Sequence, residues 1–439
     1  MGRKKRSASL FVSMNGESVG TLKRSSTGNL EFFYNRTWLE SEKCRPISLS
    51  IPLGETVYSG DRVENFFDNL LPDSQPLRNR IQTRFGITSN RAFDLLWHIG
   101  RDCVGALQLT PEKETGDVRV ISSRPLTDAE IADNLRNYRT MPLGMRADGD
   151  FRISIAGAQE KTALLYRDKQ WHLPQGATPT SHIFKLPIGR IEHSGINLSD
   201  SVENEWLCHL ILKAYGLSVA DTEIGVFDGE KVLIVERFDR RWAKDGTWLM
   251  RLPQEDMCQA LNISPVLKYE SDSGPGIPCI MDLLLGSQTS QIDRRTFMTL
   301  NLLYWLLFAI DGHAKNFSIF LLQGGSFHLT PAYDVISAHP MIAAGQLDIH
   351  KLKMAMAMRS KSKHYSVLPI LYRHWLATAK ECRYPVDEME HVIRNTLERM
   401  DHVIDQVADK LPETFPDTIA GPVLNGMREN RDRMLRSKG

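Results

Sequence analysis

The chain has few cysteines for its length, and none of them lie in the close pairs that zinc sites and redox motifs require. Among 439 residues there are six, namely Cys44, Cys103, Cys208, Cys258, Cys279 and Cys382. None forms a C-x-x-C pair, so neither a zinc ribbon nor a thioredoxin-like disulfide is expected. We expect reduced thiols in the core and no metal centre of the Cys/His type.

Long apolar runs, a secretory leader and a strong net charge are also missing. The longest apolar run, Leu302 to Ile310, is about half as long as a membrane-spanning helix. The basic residues Met1 to Arg6 precede Ser7 to Ser9 instead of an apolar secretory core. A net charge of +1 argues against polyanion binding over the whole surface but leaves room for a local basic patch. We expect a soluble, cytoplasmic protein whose 42% hydrophobic residues form two or three cores.

Two acids and one amide stand at a spacing that is typical of phosphoryl-transfer enzymes. Asp311 and Asn316 bound one short stretch, and Asp334 follows further along the chain. Such enzymes use one carboxylate to orient or deprotonate the attacking hydroxyl, and an amide oxygen with a second carboxylate to hold Mg²⁺ against nucleotide phosphates. The pattern therefore predicts an ATP-dependent kinase. The same residues are also explained by a polar turn after a buried helix, followed by an ordinary Asp at a strand end. The choice between a kinase site and this alternative therefore rests on the upstream residues.

Two upstream charges suit a kinase. The segment His182 to Pro187 is typical of a short strand, and its Lys185 could reach the α- and β-phosphates. An amphipathic helix begins near Asp200 and carries Glu205 one turn inside, where it is the natural ion-pair partner of Lys185. Alternatively, Lys185 is a solvated charge on an edge strand, and Glu205 only complements the helix dipole.

A hairpin around Phe227 to Gly229 leads into an apolar strand, and charged residues follow directly at the end of that strand. Such a strand end suits an adenine-binding hinge. Backbone groups near Glu236 and Phe238 could bond the adenine edge, and Asp239 is placed for a ribose hydroxyl. A strand that leaves the core with a capping ion pair explains these residues equally well.

The glycine-rich patterns G-x-G-x-x-G and G-x-x-x-x-G-K-[ST] are missing from the region upstream of Lys185. Small residues between two alternating apolar runs take their place, since they permit a close approach of the backbone to phosphate. The predicted nucleotide contacts in this loop are Ile155, Ala156, Gly157, Ala158 and Lys161. An ordinary hairpin turn is the alternative.

Several stretches resemble the HipA family of serine/threonine-protein kinase toxins, which belong to the HipBA toxin-antitoxin systems. The resemblance extends from about residue 10 to about residue 420. It rests on the stretches Phe67 to Asp73, Ile99 to Gly105, Ile153 to Leu164, Ile183 to Pro187, Val235 to Arg240, Arg251 to Asp256 and Asp311 to Ser318.

The resemblance implies roles for individual residues. Asp311 is similar to the catalytic base of the family, Asn316 and Asp334 to its Mg²⁺ ligands, and Lys185 to its phosphate-contacting lysine. Two further residues of the catalytic loop are candidates. Lys315 could neutralise charge that develops on the transferred phosphoryl group, whereas His313 suits loop packing better than the role of a base.

The resemblance also implies regulation and partners. Ser154 is similar to the serine that these kinases autophosphorylate, an event that ejects the loop and silences the enzyme, because a dianionic phosphate is repelled by bound nucleotide. The implied partners are a HipB-like helix-turn-helix antitoxin, operator DNA and a translation component, for which the family suggests glutamate-tRNA ligase. Lys380 and Arg383 are candidates for DNA phosphates, although exposed helix ends often carry such charges.

The expected fold is α+β, a two-lobed protein-kinase-like fold with a small N-terminal α+β subdomain and a mostly helical C-terminal lobe. The expected boundaries are 1–9 for a basic flexible N-terminus, 10–145 for the N-terminal subdomain, 146–250 for the nucleotide-binding part and 251–430 for the helical lobe. Two local predictions go with it. A helix should cover Val386 to Leu411, and Ser264 to Pro278 should form a mobile lid, a substrate platform or a plain surface connection.

Two other functions use some of the same residues. A small-molecule kinase needs the same acids and amide, together with ATP and Mg²⁺, but the family resemblance beyond the catalytic loop argues against it. A non-catalytic corepressor would not need intact kinase residues. All five are present, which argues against this function: Lys185, Glu205, Asp311, Asn316 and Asp334.

Overall fold

The computed structural model describes residues 8–113, 116–138, 159, 161–191 and 195–438. The predicted phosphosite Ser154 and the predicted phosphate-loop residues Ile155, Ala156, Gly157 and Ala158 lie outside the described residues. Within the described part of the chain, no helix has both the length and the apolar character that crossing a bilayer requires.

All strands of the described residues lie before residue 367. In chain order they are β1 (Ala8–Met14), β2 (Glu17–Arg24), β3 (Leu30–Tyr34), β4 (Val57–Ser59), β5 (Leu107–Thr110), β6 (Ser123–Pro125), β7 (Lys161–Arg167), β8 (Gln170–Pro174), β9 (His182–Lys185), β10 (Gly189–Ile191), β11 (Ile196–Leu198), β12 (Thr222–Phe227), β13 (Glu230–Glu236), β14 (Arg240–Trp242), β15 (Leu249–Arg251), β16 (Gln254–Asp256), β17 (Ser318–Leu321), β18 (Phe327–Leu329), β19 (Lys353–Arg359) and β20 (Lys363–Ser366).

Helices occur throughout the described residues, with lengths from 4 to 20 residues. They are α1 (Arg36–Leu39), α2 (Asp61–Asp68), α3 (Gln75–Arg84), α4 (Ala92–Ile99), α5 (Asp128–Tyr138), α6 (Ser201–Ala214), α7 (Met257–Ala260), α8 (Ile277–Leu283), α9 (Ser290–Leu307), α10 (His339–Ala343), α11 (Tyr372–Glu381), α12 (Val386–Glu398), α13 (Met400–Ala408) and α14 (Asp417–Arg436). The chain therefore combines sheets and helices in the α+β manner that the sequence predicts.

The described residues form two compact units, each assembled from separate segments of the chain. Unit 1 takes its residues from Met1–Leu186, Gly225–Val266 and Ser318–Phe327. Unit 2 takes its residues from Pro187–Ile224, Leu267–Phe317 and His328–Gly439. The chain thus passes between the units several times, whereas the sequence suggested contiguous domains.

Unit 1 holds most of the two largest sheets, which are both antiparallel. The first has the strand order β4-β3-β2-β1-β5, and its β1 follows a period of two, with Leu10, Val12 and Met14 buried. The second has the order β12-β13-β9-β7-β8-β6. The predicted hairpin joins β12 to β13 through Asp228 and Gly229, both with positive φ, which two-residue hairpin turns require.

Unit 2 is built around α9. Its C-terminal half, from Leu302 to Leu307, is buried on all sides, as the apolar run predicts. The helix ends at Phe308, whose backbone is left-handed with φ of 48°, and the N–H of Ala309 donates to the Tyr304 carbonyl at 2.8 Å. This cap turns the chain out of the core, so that Asp311 follows at the surface.

Two local predictions differ from the structure. The helix predicted over Val386 to Leu411 is divided at Arg399 into α12 and α13. The Arg399 guanidinium donates to the carbonyls of Ala214 and Tyr215 at the end of α6, so this junction is joined to α6. All six cysteines are free, and four of them are buried, but Cys44 is half-buried and Cys279 is exposed on α8. The prediction of core thiols was therefore wrong for Cys279.

Unit 1 also contains a buried network of charges. Two carboxylates, Asp102 and Asp239, lie among the guanidinium groups of Arg237, Arg240 and Arg251, with every one of these side chains at most 5% exposed. Burial alone would raise the pKa of Asp102, but the charges of the three arginines outweigh it and hold that pKa well below its usual range. The network links residues from three distant parts of the sequence.

We predict that Asp102→Asn lowers the free energy of unfolding of unit 1 by about 3–5 kcal/mol, because the three arginines lose a buried counter-charge. Urea unfolding at neutral pH measures this. The difference from wild type should shrink as the pH falls below about 4, since an acid with a depressed pKa stabilises the fold above its unfolded-state pKa and loses that contribution on acidification.

The matched control is Glu40→Gln, which breaks the exposed Arg36–Glu40 pair and should leave the transition unchanged. An Asp102→Asn protein as stable as this control would contradict the stabilising role of the network.

Candidate active site

The segment Asp311–Asn316, called the Asp311 loop here, is a tight turn directly after the cap of α9. The N–H of His313 donates to the Asp311 carbonyl at 2.7 Å, and the N–H of Asn316 donates to the His313 carbonyl at 2.9 Å. Asp311 is exposed, whereas His313, Lys315 and Asn316 are buried. The loop thus presents one carboxylate to solvent on a backbone fixed by its own hydrogen bonds.

The structure brings the Asp311 loop and Asp334 together. The Asn316 side-chain amide donates from Nδ2 to the main-chain carbonyl of Asp334 at 3.1 Å. The Tyr333 hydroxyl donates to the carbonyl of Lys315 at 2.8 Å. Asp334 has a left-handed backbone with φ of 60°, which aspartate tolerates better than most residues. Asn316 and Asp334, far apart in sequence, are therefore held as one structural element.

The side-chain chemistry of this element fits a magnesium ion. Because Nδ2 of Asn316 is engaged with the Asp334 carbonyl, the amide oxygen remains as the acceptor. An amide oxygen and a carboxylate are hard donors of the kind that Mg²⁺ prefers, and Mg²⁺ usually keeps several waters instead of taking all its ligands from protein. Asn316 and Asp334 are the residues that would hold it.

The two acids share a pocket in unit 2. Its lining consists of Tyr304, Ala309, Asp311, Gly312, Asp334, Val335 and Ile336. Glycine is needed at 312, because a Cβ there would lie 2.5 Å from Cδ2 of the Tyr304 ring. The Tyr304 hydroxyl is buried and has no hydrogen-bond partner among the described residues. Burial raises its pKa, and the negative charge of Asp334 adds to this effect. Tyr304 lies inside the apolar run, so its sequence context gave no sign of the pocket.

The other residue that the sequence did not reveal is Tyr269. Its hydroxyl donates to Oδ1 of Asp311 at 2.5 Å. Its ring meets the His313 ring edge-on, with centroids 5.0 Å apart. This contact gives His313 the packing role that the sequence favoured over that of a base.

Glu205 lies on α6 of unit 2, where only 1% of it is exposed. Its Oε1 is 3.8 Å from Nε2 of His209, one turn along the helix. Lys185 belongs to unit 1, so the predicted Lys185–Glu205 ion pair stays a prediction.

Two lysines of unit 1 lie directly opposite each other on neighbouring strands. Lys161 of β7 is the register partner of Lys185 of β9, so both side chains leave the sheet on the same face. Both are buried, at 7% and 6% exposed. Two positive charges therefore lie on one face of this sheet. The sequence pointed to each lysine separately but not to the pair.

The hinge residues have different surroundings. The Glu236 side chain is exposed at the end of β13, and the Phe238 ring meets Phe320 edge-on at 5.8 Å. Asp239 is buried in the charge network, where its carboxylate accepts from both Arg237 and the N–H of Gly105. The structure therefore supports the alternative of a capping ion pair for Asp239, and we do not carry the ribose contact forward.

The candidate DNA contacts lie at the end of α11. Lys380 is in the last turn and is exposed. Arg383 follows the helix with φ of 52°, is exposed, and forms an ion pair with Asp282. That pair offsets one of the two positive charges at this helix end.

Family models cover most of the chain. Residues 10–110 match the HipA N-terminal domain, and residues 153–405 match the HipA-like C-terminal domain. The chain belongs to the HipA family. Its Asp311 loop, Asp334, Lys161 and Lys185 all fall within the HipA-like C-terminal domain.

Relatives of this HipA-family chain carry kinase names. A Sinorhizobium fredii protein, Y4mE, whose name classes it with the kinases, is 31% identical over 428 residues, which cover 94% of this chain and 97% of that protein. The serine/threonine-protein kinase toxin HipA of Shewanella oneidensis is 30% identical over 332 residues, covering 73% of this chain and 72% of the toxin.

A solved structure has the same fold. It is the Shewanella oneidensis HipA in complex with HipB and operator DNA, which matches with a TM-score of 0.81 and 24% identity over 97% of each chain. The HipA-family chain therefore has the α+β, kinase-like fold that the resemblance implied.

Proposed function

We propose that this HipA-family chain is an ATP-dependent protein serine/threonine kinase and the toxin of a type II toxin-antitoxin module. The observation that carries the proposal is the bond from the Asn316 side chain to the main-chain carbonyl of Asp334, which lines the same pocket as Asp311. The kinase names of relatives at 30% and 31% identity support it.

In the proposed mechanism, Asp311 accepts the proton of the attacking hydroxyl, since it is the exposed carboxylate of the pocket. Asn316 and Asp334 would hold Mg²⁺, which when bound would supply positive charge to the nucleotide phosphates. Lys315, buried within the Asp311 loop, adds positive charge beside the transferred phosphoryl group.

ATP is the proposed phosphate donor. Lys161 and Lys185 place two buried positive charges on one face of the unit 1 sheet, and we assign them to the phosphates. The backbone around Glu236 and Phe238 is the proposed adenine contact. Ile155, Ala156, Gly157 and Ala158 complete the proposed phosphate loop, in which Ser154 is the proposed autophosphorylation site.

The proposed partners are a HipB-like antitoxin, operator DNA and a translation component as substrate, for which glutamate-tRNA ligase is the family's suggestion. The likeness to the Shewanella oneidensis HipA, which was solved with HipB and operator DNA, supports the first two. Lys380 and Arg383, exposed at the end of α11, are the proposed contacts to DNA phosphates.

We predict that Asp311→Asn and Asp334→Asn each lower phosphate transfer from Mg-ATP to protein by at least about 100-fold, because one removes the base and the other a metal ligand. Mass spectrometry of the protein after incubation with Mg-ATP measures the transfer. The thermal unfolding curves should stay as in wild type.

Asp405→Asn is the control, since Asp405 is an exposed acid on α13 of the same unit. Undiminished transfer in either Asp311→Asn or Asp334→Asn would remove that residue from the proposed site.

We predict that Lys185→Met weakens ATP binding by roughly 10- to 100-fold, since a buried charge-assisted contact to phosphate is lost. Calorimetric titration with ATP and Mg²⁺ measures the affinity. Lys244→Met, which alters an exposed lysine of unit 1, should bind ATP as wild type does. Equal affinity in the Lys185→Met and wild-type proteins would move the phosphate contact to Lys161.

We predict that the wild-type chain phosphorylates Ser154 during incubation with Mg-ATP and then binds ATP more weakly, because the added dianion repels the nucleotide phosphates. Phosphosite mapping, followed by ATP titration of the separated forms, measures both effects. Ser154→Ala should keep its initial affinity throughout. A phosphorylated form that binds ATP as tightly as the unmodified chain would contradict the inhibitory role.

A further inference from the structure

The residues just before α8 make three contacts with the Asp311 loop. The Tyr269 hydroxyl donates to Oδ1 of Asp311 at 2.5 Å, and the Tyr269 ring packs edge-on against His313. The N–H of Ala314 donates to the carbonyl of Lys268 at 3.2 Å. Side-chain and backbone contacts therefore fix the Asp311 loop against Lys268 and Tyr269, all within unit 2.

Tyr269 lies in a tightly packed turn. The N–H of Gly274 donates to the Tyr269 carbonyl at 2.9 Å, and a Cβ at Gly274 would lie 2.0 Å from the carbonyl oxygen of Leu267. A Cβ at Gly276 would lie 2.3 Å from Cδ of Glu270. Such close packing leaves no space for side chains at these glycines. This part of the predicted lid or surface connection is instead closely packed around Tyr269.

Glu270 anchors the turn on the opposite side. It is 4% exposed, and its carboxylate accepts from the N–H of Ala357 at 2.7 Å and from Nη2 of Arg359 at 2.5 Å. Nζ of Lys363 lies 3.1 Å from the same carboxylate. A buried carboxylate with this many donors is costly to displace. The backbone at Tyr269 is thus tied to the hairpin of β19 and β20.

We infer that Tyr269 is a positioning residue for Asp311, an inference that rests on the proposed kinase function. An exposed aspartate without a partner samples several rotamers. The hydrogen bond from Tyr269 occupies Oδ1 and selects one of them, which leaves Oδ2 for the acceptor hydroxyl. An Asp311 carboxylate that is already oriented should raise the rate of phosphate transfer. It should not change the affinity for ATP, because in the proposed mechanism it contacts neither phosphate nor adenine.

The assignment fixes which oxygen receives the proton. The acceptor hydroxyl oxygen forms its bond to the γ-phosphorus, and the bond from that phosphorus to the bridging oxygen breaks, with the electron pair leaving on ADP. The hydroxyl proton passes to Oδ2 of Asp311, while Oδ1 keeps the hydrogen bond of Tyr269.

The test is Tyr269→Phe, which keeps the ring against His313 and removes only the hydroxyl. Phosphate transfer at saturating Mg-ATP should fall by about 10- to 100-fold, while the ATP concentration that gives half the maximal rate stays the same. In the Asp311→Asn background the second change should cause no further loss, since Tyr269 acts through Asp311. Tyr372→Phe on α11 makes the same chemical change in the same unit, outside the pocket lining, and should not alter transfer.

An unchanged rate in Tyr269→Phe would overturn the inference, and so would a faster rate, which would make the contact a restraint. A weaker apparent affinity for ATP at an unchanged maximal rate would give Tyr269 a binding role instead. Hydrogen exchange of the backbone amides from Gly312 to Phe317 provides a readout that needs no catalysis. It should be faster in Tyr269→Phe than in wild type, and equal exchange would overturn the inference.

Failure of the proposed kinase function can be told apart from failure of the inference about Tyr269. If the wild-type chain transfers no phosphate, the kinase proposal fails. The amide exchange then still decides whether Tyr269 holds the Asp311 loop.

Discussion

The hydrogen bond from the Asn316 amide to the main-chain carbonyl of Asp334 is the interaction on which the candidate active site depends. It joins two segments that are separated by the hairpin region between β17 and β18. It also leaves the amide oxygen of Asn316 as an acceptor near Asp334, a residue whose backbone has a positive φ. The bond from the Tyr333 hydroxyl to the Lys315 carbonyl joins the same two segments. Asp311, Asn316 and Asp334 therefore belong to one structural element that follows α9.

Buried charge divides into two kinds in unit 1. In the network of Asp102, Asp239, Arg237, Arg240 and Arg251, opposite charges meet at short distances and stabilise the fold. At Lys161 and Lys185, two largely buried positive charges occupy opposite register positions on neighbouring strands. Two cations on one face of a sheet suit the phosphates of a nucleotide, whereas the carboxylate of Asp239 is already bound by arginines. This contrast supports the proposal that assigns the lysines to the nucleotide and Asp239 to the scaffold.

Much of the site follows from the sequence, because its chemistry is carried by residue types at short spacing. Several elements are local patterns that the structure contains, namely the acid and the amide of the Asp311 loop, the Lys185 strand, the Asp228–Gly229 hairpin and the buried end of α9. The resemblance to the HipA family identified these elements in their order along the chain, and the family models agree with that resemblance.

The remaining features depend on contacts between distant residues. Asp239 looks like a free hinge carboxylate until Arg240 and the N–H of Gly105 are placed beside it. Tyr269 stands in a glycine- and proline-rich stretch typical of a loose loop, and only the burial of Glu270 reveals its packing. Tyr304 is one aromatic residue in an apolar run. No periodicity indicates that its hydroxyl is buried beside the pocket of Asp311 and Asp334.

The central claim is that Asn316 and Asp334 together hold the divalent metal that accompanies the nucleotide. Electron paramagnetic resonance of Mn²⁺, titrated into the protein with a non-hydrolysable ATP analogue, tests it without requiring catalysis. We expect Mn²⁺ to bind wild type and Asp405→Asn alike, and to bind Asp334→Asn and Asn316→Ala much more weakly. Equal Mn²⁺ binding by wild type and Asp334→Asn would contradict the account.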